Sequence, residues 1–373
     1  MSTTIHTLTI QRYANNGYGI GFLHNKAVFV PYCAIGDILA VEIINNTKTY
    51  SFARIVDIIH PSPIRIQPRC PAFACCGGCD FLHIPYEEEL SLKKNLFINT
   101  LQKIGGIPMQ SVPGIEIIAS QRFAYRSHAT FQSNGTDIGF FKKYSHAIQP
   151  LPQTGCLLVH NDINRAIVIG KKNPGAIRIA VDHYNKIGSD PNDVITEIEQ
   201  GIVYKRNPQL FFQANRFLRG KMLSIVNELT DNATRFLDVG CGVGFFSLYM
   251  SKRMEGTGID SNIVSIAYAK KNSAINTIPC NFYATTIENY RPSANLTDCV
   301  IIDPPRQGIS RKGRKTIIAM NPATIVYISC NPVTFARDIR SFIDSNYRLQ
   351  KLFMIDMFPC THHTEVIGLM KKS

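Results

Sequence analysis

Arg235-Phe236-Leu237-Asp238-Val239-Gly240-Cys241-Gly242-Val243-Gly244, continuing into Phe245-Phe246-Ser247-Leu248, decides the fold. An apolar run ends in an acid, three glycines alternate with small residues, and a helical pattern begins. A buried parallel strand turns into a helix this way while leaving room for a ligand against the backbone. The spacing is G-x-G-x-G, not the dinucleotide G-x-G-x-x-G. Thr257-Gly258-Ile259-Asp260 reads as a second short strand ending in an acid, 22 positions after Asp238. A carboxylate there accepts hydrogen bonds from both ribose hydroxyls of a nucleoside cofactor. S-adenosylmethionine is the ligand this pattern implies.

Strand and helix keep alternating. Residues 263–275 read as a helix and Asn281-Phe282-Tyr283-Ala284 as a strand. Asp298-Cys299-Val300-Ile301-Ile302 is an apolar strand ending at Asp303-Pro304-Pro305-Arg306. Thr324-Ile325-Val326-Tyr327-Ile328 is another, ending at Ser329-Cys330-Asn331-Pro332. Upstream, Asn207-Pro208 through Gln213-Ala214-Asn215 is expected to open a helix reaching about residue 228. The alternation predicts a doubly wound parallel sheet with ligands at the carboxyl ends of its strands. Asp238, Asp260, Asp303 and Cys330 all fall at such ends, so they are expected on one rim.

Cys330 lies between a strand and Asn-Pro opening a helix, which places its sulfur near a helix N-terminus, where thiolate is favoured. Carbon 5 of a pyrimidine is a poor nucleophile toward a methylsulfonium. Thiolate attack at C6 converts the ring to an enolate, and a base must then remove the C5 proton before elimination. Residues 351–359 and 364–370 read as two further strands, and His362, His363 and Glu365 near their connection all suit the base. Arg306 stands where exocyclic-amine methylases place an aromatic. The second cysteine that RNA cytosine-5 methylases carry beside the proline of this motif is missing. Uracil remains.

A second chemistry lies upstream. Cys70, Cys76 and Cys79 follow a C-x5-C-x2-C spacing, and Gly77-Gly78 supplies the bend that lets thiolates converge. Three thiolates need a fourth ligand to close a zinc or 4Fe-4S site, and the absence of paired C-x2-C knuckles leans toward iron–sulfur. Cys156 suits the fourth place, while Cys75 offers a competing register. An amphipathic helix is expected over about 85–104.

Residues 1–60 contain five short β-rich runs separated by Gly, Asn and Pro turns, closed off by Pro61-Ser62-Pro63. They suggest a small barrel of the oligonucleotide-binding kind, similar to a TRAM module. Phe123-Ala124-Tyr125-Arg126 and Gly139-Phe140-Phe141-Lys142-Lys143-Tyr144-Ser145-His146 mix aromatics and cations, as an RNA face or a sheet core would. The 40 Lys and Arg against 27 Asp and Glu give +13, which favours a polyanion partner. No apolar run is long enough for a membrane span and no signal peptide is read. A cytoplasmic monomer acting on RNA is the expectation.

With these motifs in hand, the chain resembles the RNA uracil-5-methyltransferase family, the tRNA and 23S rRNA enzymes, over nearly its whole length. The resemblance implies a multidomain fold. It comprises an OB/TRAM-like barrel (1–62), a central α+β iron–sulfur domain (63–206) and a C-terminal α/β Rossmann-like class I methyltransferase (207–373). It further implies that Gln213, Gly240, Asp260 and Asp303 bind S-adenosylmethionine, that Cys330 is the nucleophile and that Glu365 is the base. Cys70, Cys76, Cys79 and Cys156 match the 4Fe-4S ligands of the rRNA branch. Gly240 and Phe245 depart from the family, which usually has an aromatic and Asn at those places. The module plus cluster favours 23S rRNA as substrate over uridine 54 of tRNA. A catalytically lapsed RNA-binding protein is the remaining alternative, and the presence of Cys330 and Glu365 argues against it.

Overall fold

The structure, a computed structural model, describes residues 4–169, 173–230, 232–291 and 297–373. Six strands form the N-terminal barrel: β1 (Ile5–Thr9), β2 (Arg12–Tyr13), β3 (Gly19–Leu23), β4 (Lys26–Val30), β5 (Ile38–Asn46) and β6 (Tyr50–His60). Their order is β1-β5-β6-β4-β3-β2. Alternation sets the core: Val28, Val30, Leu39, Val41 and Ala53 point inward, whereas Phe29 and Phe52 point out. The barrel is not a detached bead. Tyr13 packs edge-on against Phe81, and the His83 Nε2 lies 2.8 Å from the Cys33 carbonyl oxygen.

Helix α1 (Tyr86–Lys103) matches the expected amphipathic segment, and β7 (Ile115–Ile118) follows it. A five-stranded sheet comes next: β8 (His128–Ser133), β9 (Ile138–Phe141), β10 (Ile148–Pro150), β11 (Gly175–Val181) and β12 (Ile187–Gly188). Helix α2 (Asn161–Ile169) is inserted before β11, and the hairpin β13 (Ile195–Glu199) and β14 (Ile202–Arg206) completes the stretch.

The remaining elements build the large sheet: α3 (Arg219–Leu229), β15 (Arg235–Val239), α4 (Phe245–Met250), β16 (Glu255–Asp260), α5 (Ile263–Asn276), β17 (Asn281–Ala284), β18 (Cys299–Ile302), α6 (Arg311–Met320), β19 (Thr324–Ser329), α7 (Pro332–Ile343), β20 (Tyr347–Ile355) and β21 (Glu365–Lys372). The order is β17-β16-β15-β18-β19-β21-β20-β7. β15 to β19 are parallel, and β21 inserts antiparallel between β19 and β20.

Two sequence expectations need correction. The boundary at 206/207 does not separate the units in space. β7 pairs with β20, and Tyr204 and Ile202 lie in the core beneath the glycine turn. Strand β14 is also held by α5, through Asn272 and Asn276 side chains accepting from the Lys205 and Val203 amides at 2.8 Å. The second correction concerns residues 207–218, which are irregular. The Asn207 side chain accepts from the amides of Gln209 and Leu210 at 3.0 Å each, an Asx turn that competes with helix. Among the described residues, no helix is long and apolar enough to cross a membrane.

Candidate active site and cysteine cavity

The glycine turn begins at Gly240, whose φ is +86°. A Cβ there would stand 2.3 Å from the Asp303 carbonyl oxygen, so only glycine lets the β15 and β18 ends approach this closely. That explains why no aromatic occupies the position. Phe245 has turned inward, packing on Phe212 at 5.3 Å and Tyr204 at 5.7 Å.

Asp260 ends β16 with its carboxylate anchored: Oδ2 accepts from the Gly242 amide at 2.9 Å and Oδ1 from the Asn262 amide at 2.8 Å. Asp303 receives the Gln213 Nε2 at 3.4 Å. Burial and then the charges of Asp238 and Asp260 push the Asp303 carboxyl above its ordinary range. Asp238 is not on the open rim. It is fully buried, accepts from the Ser247 hydroxyl at 2.5 Å to pin α4, and burial pushes it up to about 7. Asp260 and Asp303 thus stand at the strand ends on either side of the glycine turn, with Asp238 buried beneath it.

Cys330 and Glu365 meet across the sheet. Ser329 pairs with Val366, so the next residue outward on β19 is Cys330 and on β21 is Glu365. The pair at the β19–β21 end is flanked by Asp303 and Arg306, whose charges both act on the thiol. The expectation of a thiolate-favouring helix end is overturned here. Asn331 caps α7 by accepting from the Val333 amide, but burial, Glu365 and Asp303 together push the Cys330 thiol up to about 12. Glu365 is itself held above the usual carboxylate range by burial and by Asp303.

The histidines occupy other posts. His362 Nδ1 lies 2.7 Å from Asp80 Oδ2, and its amide donates to the same oxygen at 2.9 Å. His363 is pushed down to about 3, by burial first and then by its neighbours His362 and Arg306, so it is neutral and accepts from Arg306 Nη2 at 3.1 Å. Arg306 is fixed from behind as well, because its carbonyl accepts from Asn331 Nδ2 at 3.0 Å. This link between the Asp-Pro-Pro-Arg and Ser-Cys-Asn-Pro turns was not read from sequence, although both turns were.

Cys70, Cys76, Cys79 and Cys156 line one cavity of about 40 Å³, together with Arg126. Cys75 is exposed and does not line it, which removes the competing register. Burial and the neighbouring Cys156 and Cys70 push the Cys76 thiol up to about 11, while the Arg126 guanidinium pulls it down. Among the described residues, no three Cys, His, Asp or Glu side chains stand as a group able to hold a single metal ion. Arg126 and the fully buried Tyr125 therefore belong to this interior, not to an RNA face.

Comparison with known proteins places this geometry. The chain is 28% identical to an RNA methyltransferase of Aquifex aeolicus over 98% of both chains. It is 25% identical to the 23S rRNA (uracil(1939)-C(5))-methyltransferase RlmD of Vibrio parahaemolyticus, over 100% of this chain and 97% of that one. Its fold superposes on the tRNA (uracil-54, C5)-methyltransferase of Pyrococcus abyssi, solved with S-adenosyl-L-homocysteine, with a TM-score of 0.78. The identity there is 24%, covering 97% and 99% of the two chains. Residues 6–64 match the TRAM domain of tRNA (uracil(54)-C(5))-methyltransferase, and residues 186–373 match tRNA (uracil-5-)-methyltransferase. The chain thus belongs to the tRNA (uracil-5-)-methyltransferase family and is an RNA uracil-5-methyltransferase.

Proposed function

We propose that the protein methylates C5 of one uridine in 23S rRNA, with S-adenosylmethionine as donor and Cys330 as covalent catalyst. The juxtaposition of Cys330 and Glu365 across β19 and β21, beside the glycine turn with Asp260 and Asp303, carries this reading. Gln213, Gly240, Asp260 and Asp303 surround the donor; the last two are the carboxylates that favour a sulfonium cation. Cys330 Sγ adds to C6, the C5 carbanion takes the methyl group, and Glu365 removes the C5 proton so that the thiolate departs. Arg306, steadied by neutral His363, is the cation in this proposal that offsets negative charge developing on the ring.

The RlmD relative supports rRNA as substrate; the TRAM match to the uridine-54 enzymes favours tRNA as the second reading. Mass-spectrometric mapping of RNA from cells lacking the gene separates them. One 5-methyluridine should vanish from 23S rRNA and return with the wild-type gene but not with Cys330→Ala. Loss confined to tRNA position 54 would select the second reading, and loss from neither would overturn both.

A 4Fe-4S cluster held by Cys70, Cys76, Cys79 and Cys156 is part of the same proposal. What supports it is that the four cysteines line one cavity, with Arg126 beside them as a cation that would offset the charge of bound thiolates. The cluster would brace the fold, since the methyl transfer needs no electron. Anaerobically purified protein should contain about four iron and four sulfide per chain, and Cys79→Ser should lose them. Stoichiometric zinc without sulfide would refute the assignment.

A further inference from the structure

The outer face of the barrel carries a run of aromatic rings that no catalytic role uses. Phe52 packs on Tyr18 at 5.4 Å, and Tyr18 stacks on Tyr144 at 5.8 Å with planes 25° apart. Phe29 and Tyr50 flank Phe52 at 5.5 and 5.6 Å. These rings lie outside the barrel core, which is built from the alternate residues of the same strands. Tyr18 is 7% exposed, but Tyr144 is 61% exposed, so the ladder ends in a ring with one face covered and the other open.

Three observations set this ring apart from an ordinary surface tyrosine. Lys143 Nζ stands 5.8 Å from the Tyr144 ring and 5.4 Å from the Tyr18 ring, anchored to Asp80 Oδ1 at 2.5 Å. Tyr144 adopts a φ of +62°, a conformation bulky side chains avoid, and such outliers persist where the surroundings impose them. The patch also adjoins the catalytic rim. Asp80 is the residue that binds His362, and Gly17, next to Tyr18, lies so close that a Cβ on it would be 3.1 Å from the Cβ of His362.

We propose that Tyr144 is the platform on which an unpaired nucleobase of the RNA, near the target uridine, stacks when the loop is opened into the active site. This rests on the RNA-methylating reading. A base has a π-face to cover the open side of the ring whatever its identity, and the exposed Lys142 beside it meets the phosphate. The stack holds a neighbour of the target out of the helix, so that the uridine is presented without its partners. A duplex has no free base to offer.

The chain contains no tryptophan, so Tyr144→Trp introduces a single indole at the platform. The probe is a uridine-free single-stranded oligoribonucleotide, compared with a uridine-free hairpin stem. The single strand should quench the indole emission and the stem should not. Tyr144→Ala should weaken single-strand binding about 10-fold and Tyr144→Phe by no more than about twofold, the scale of one lost base stack. S-adenosylmethionine affinity should be unchanged in both, which reports that the fold is intact. Wild-type affinity in Tyr144→Ala, or equal quenching by the stem, would overturn the platform and leave a face for protein packing. Because the probe carries no methyl acceptor, quenching without methylation of any RNA would sink the enzymatic reading alone.

Discussion

Replacing Cys330 by alanine is expected to abolish methylation, by about 10⁶-fold, the scale on which removal of a covalent nucleophile acts. No protein–RNA adduct should form. Glu365→Gln should behave differently, because proton removal follows attack. It should slow turnover by about 10²–10⁴-fold while a methylated adduct accumulates, seen as a shifted band on a denaturing gel. Glu365 also helps hold the Cys330 thiol up, so its neutralisation does not penalise attack. The sign of the pH dependence follows. A thiol pushed up to about 12 is almost wholly protonated at neutral pH, so adduct formation by Glu365→Gln in single turnover should quicken steadily from pH 6 to 9. A Cys330→Ala protein that still methylates C5, or adduct formation that slows as pH rises, would refute the mechanism.

Lys93→Met should be the most damaging change away from the rim. Lys93 is buried, and its Nζ donates to Glu89 Oε1 at 2.8 Å and Asp356 Oδ1 at 2.7 Å. Burial alone would lower its pKa, but the two carboxylates outweigh this and raise it. Tyr86 donates to the other Asp356 oxygen at 2.8 Å, and the Cys360 amide donates to Glu89 at 2.7 Å. Without the ammonium two carboxylates face each other in the interior, at a cost of about 3–5 kcal/mol. Urea denaturation should show that loss near pH 8. Burial already pushes Glu89 up to about 7, and losing the ammonium removes the largest charge that pulls it down, although Arg122 still lies 3.3 Å away, so its folded-state pKa lies above its unfolded one. Protonation favours the folded form, so the deficit should shrink as pH falls toward 5. A deficit independent of pH, or below about 1 kcal/mol, would mean that the charges are not the reason for the burial.

The parts of this molecule legible in the sequence are those where one local rule decides the outcome. Glycine alternation after an apolar run forced the turn at Gly240, and polar residues at strand ends located Asp260, Asp303 and Cys330. What stayed hidden depends on contacts between distant segments. Nothing near Ile115–Ile118 marks it as a strand of the large sheet, because its partner β20 lies more than 230 positions away. Tyr125 and Arg126 have the composition of an RNA face, and only packing shows them inside, against the cysteines. The Cys330 helix-end argument failed for a similar reason: the carboxylates that outweigh it come from two other strands. Asn207 misled locally, since its side chain satisfies the amides that a helix would have used.

The Lys93 knot also dictates an order of assembly. Tyr86, Glu89 and Lys93 leave the ribosome first, and their partners Asp356 and Cys360 follow 263 to 271 residues later. At 5–20 residues per second that is a wait on the order of tens of seconds. The gap between β19 and β20 closes last of all, because β21, which fills it and carries Glu365, is made after both. Until then the nascent chain has Cys330 but not Glu365 opposite it, so an unfinished polypeptide lacks the pair on which the proposed turnover depends.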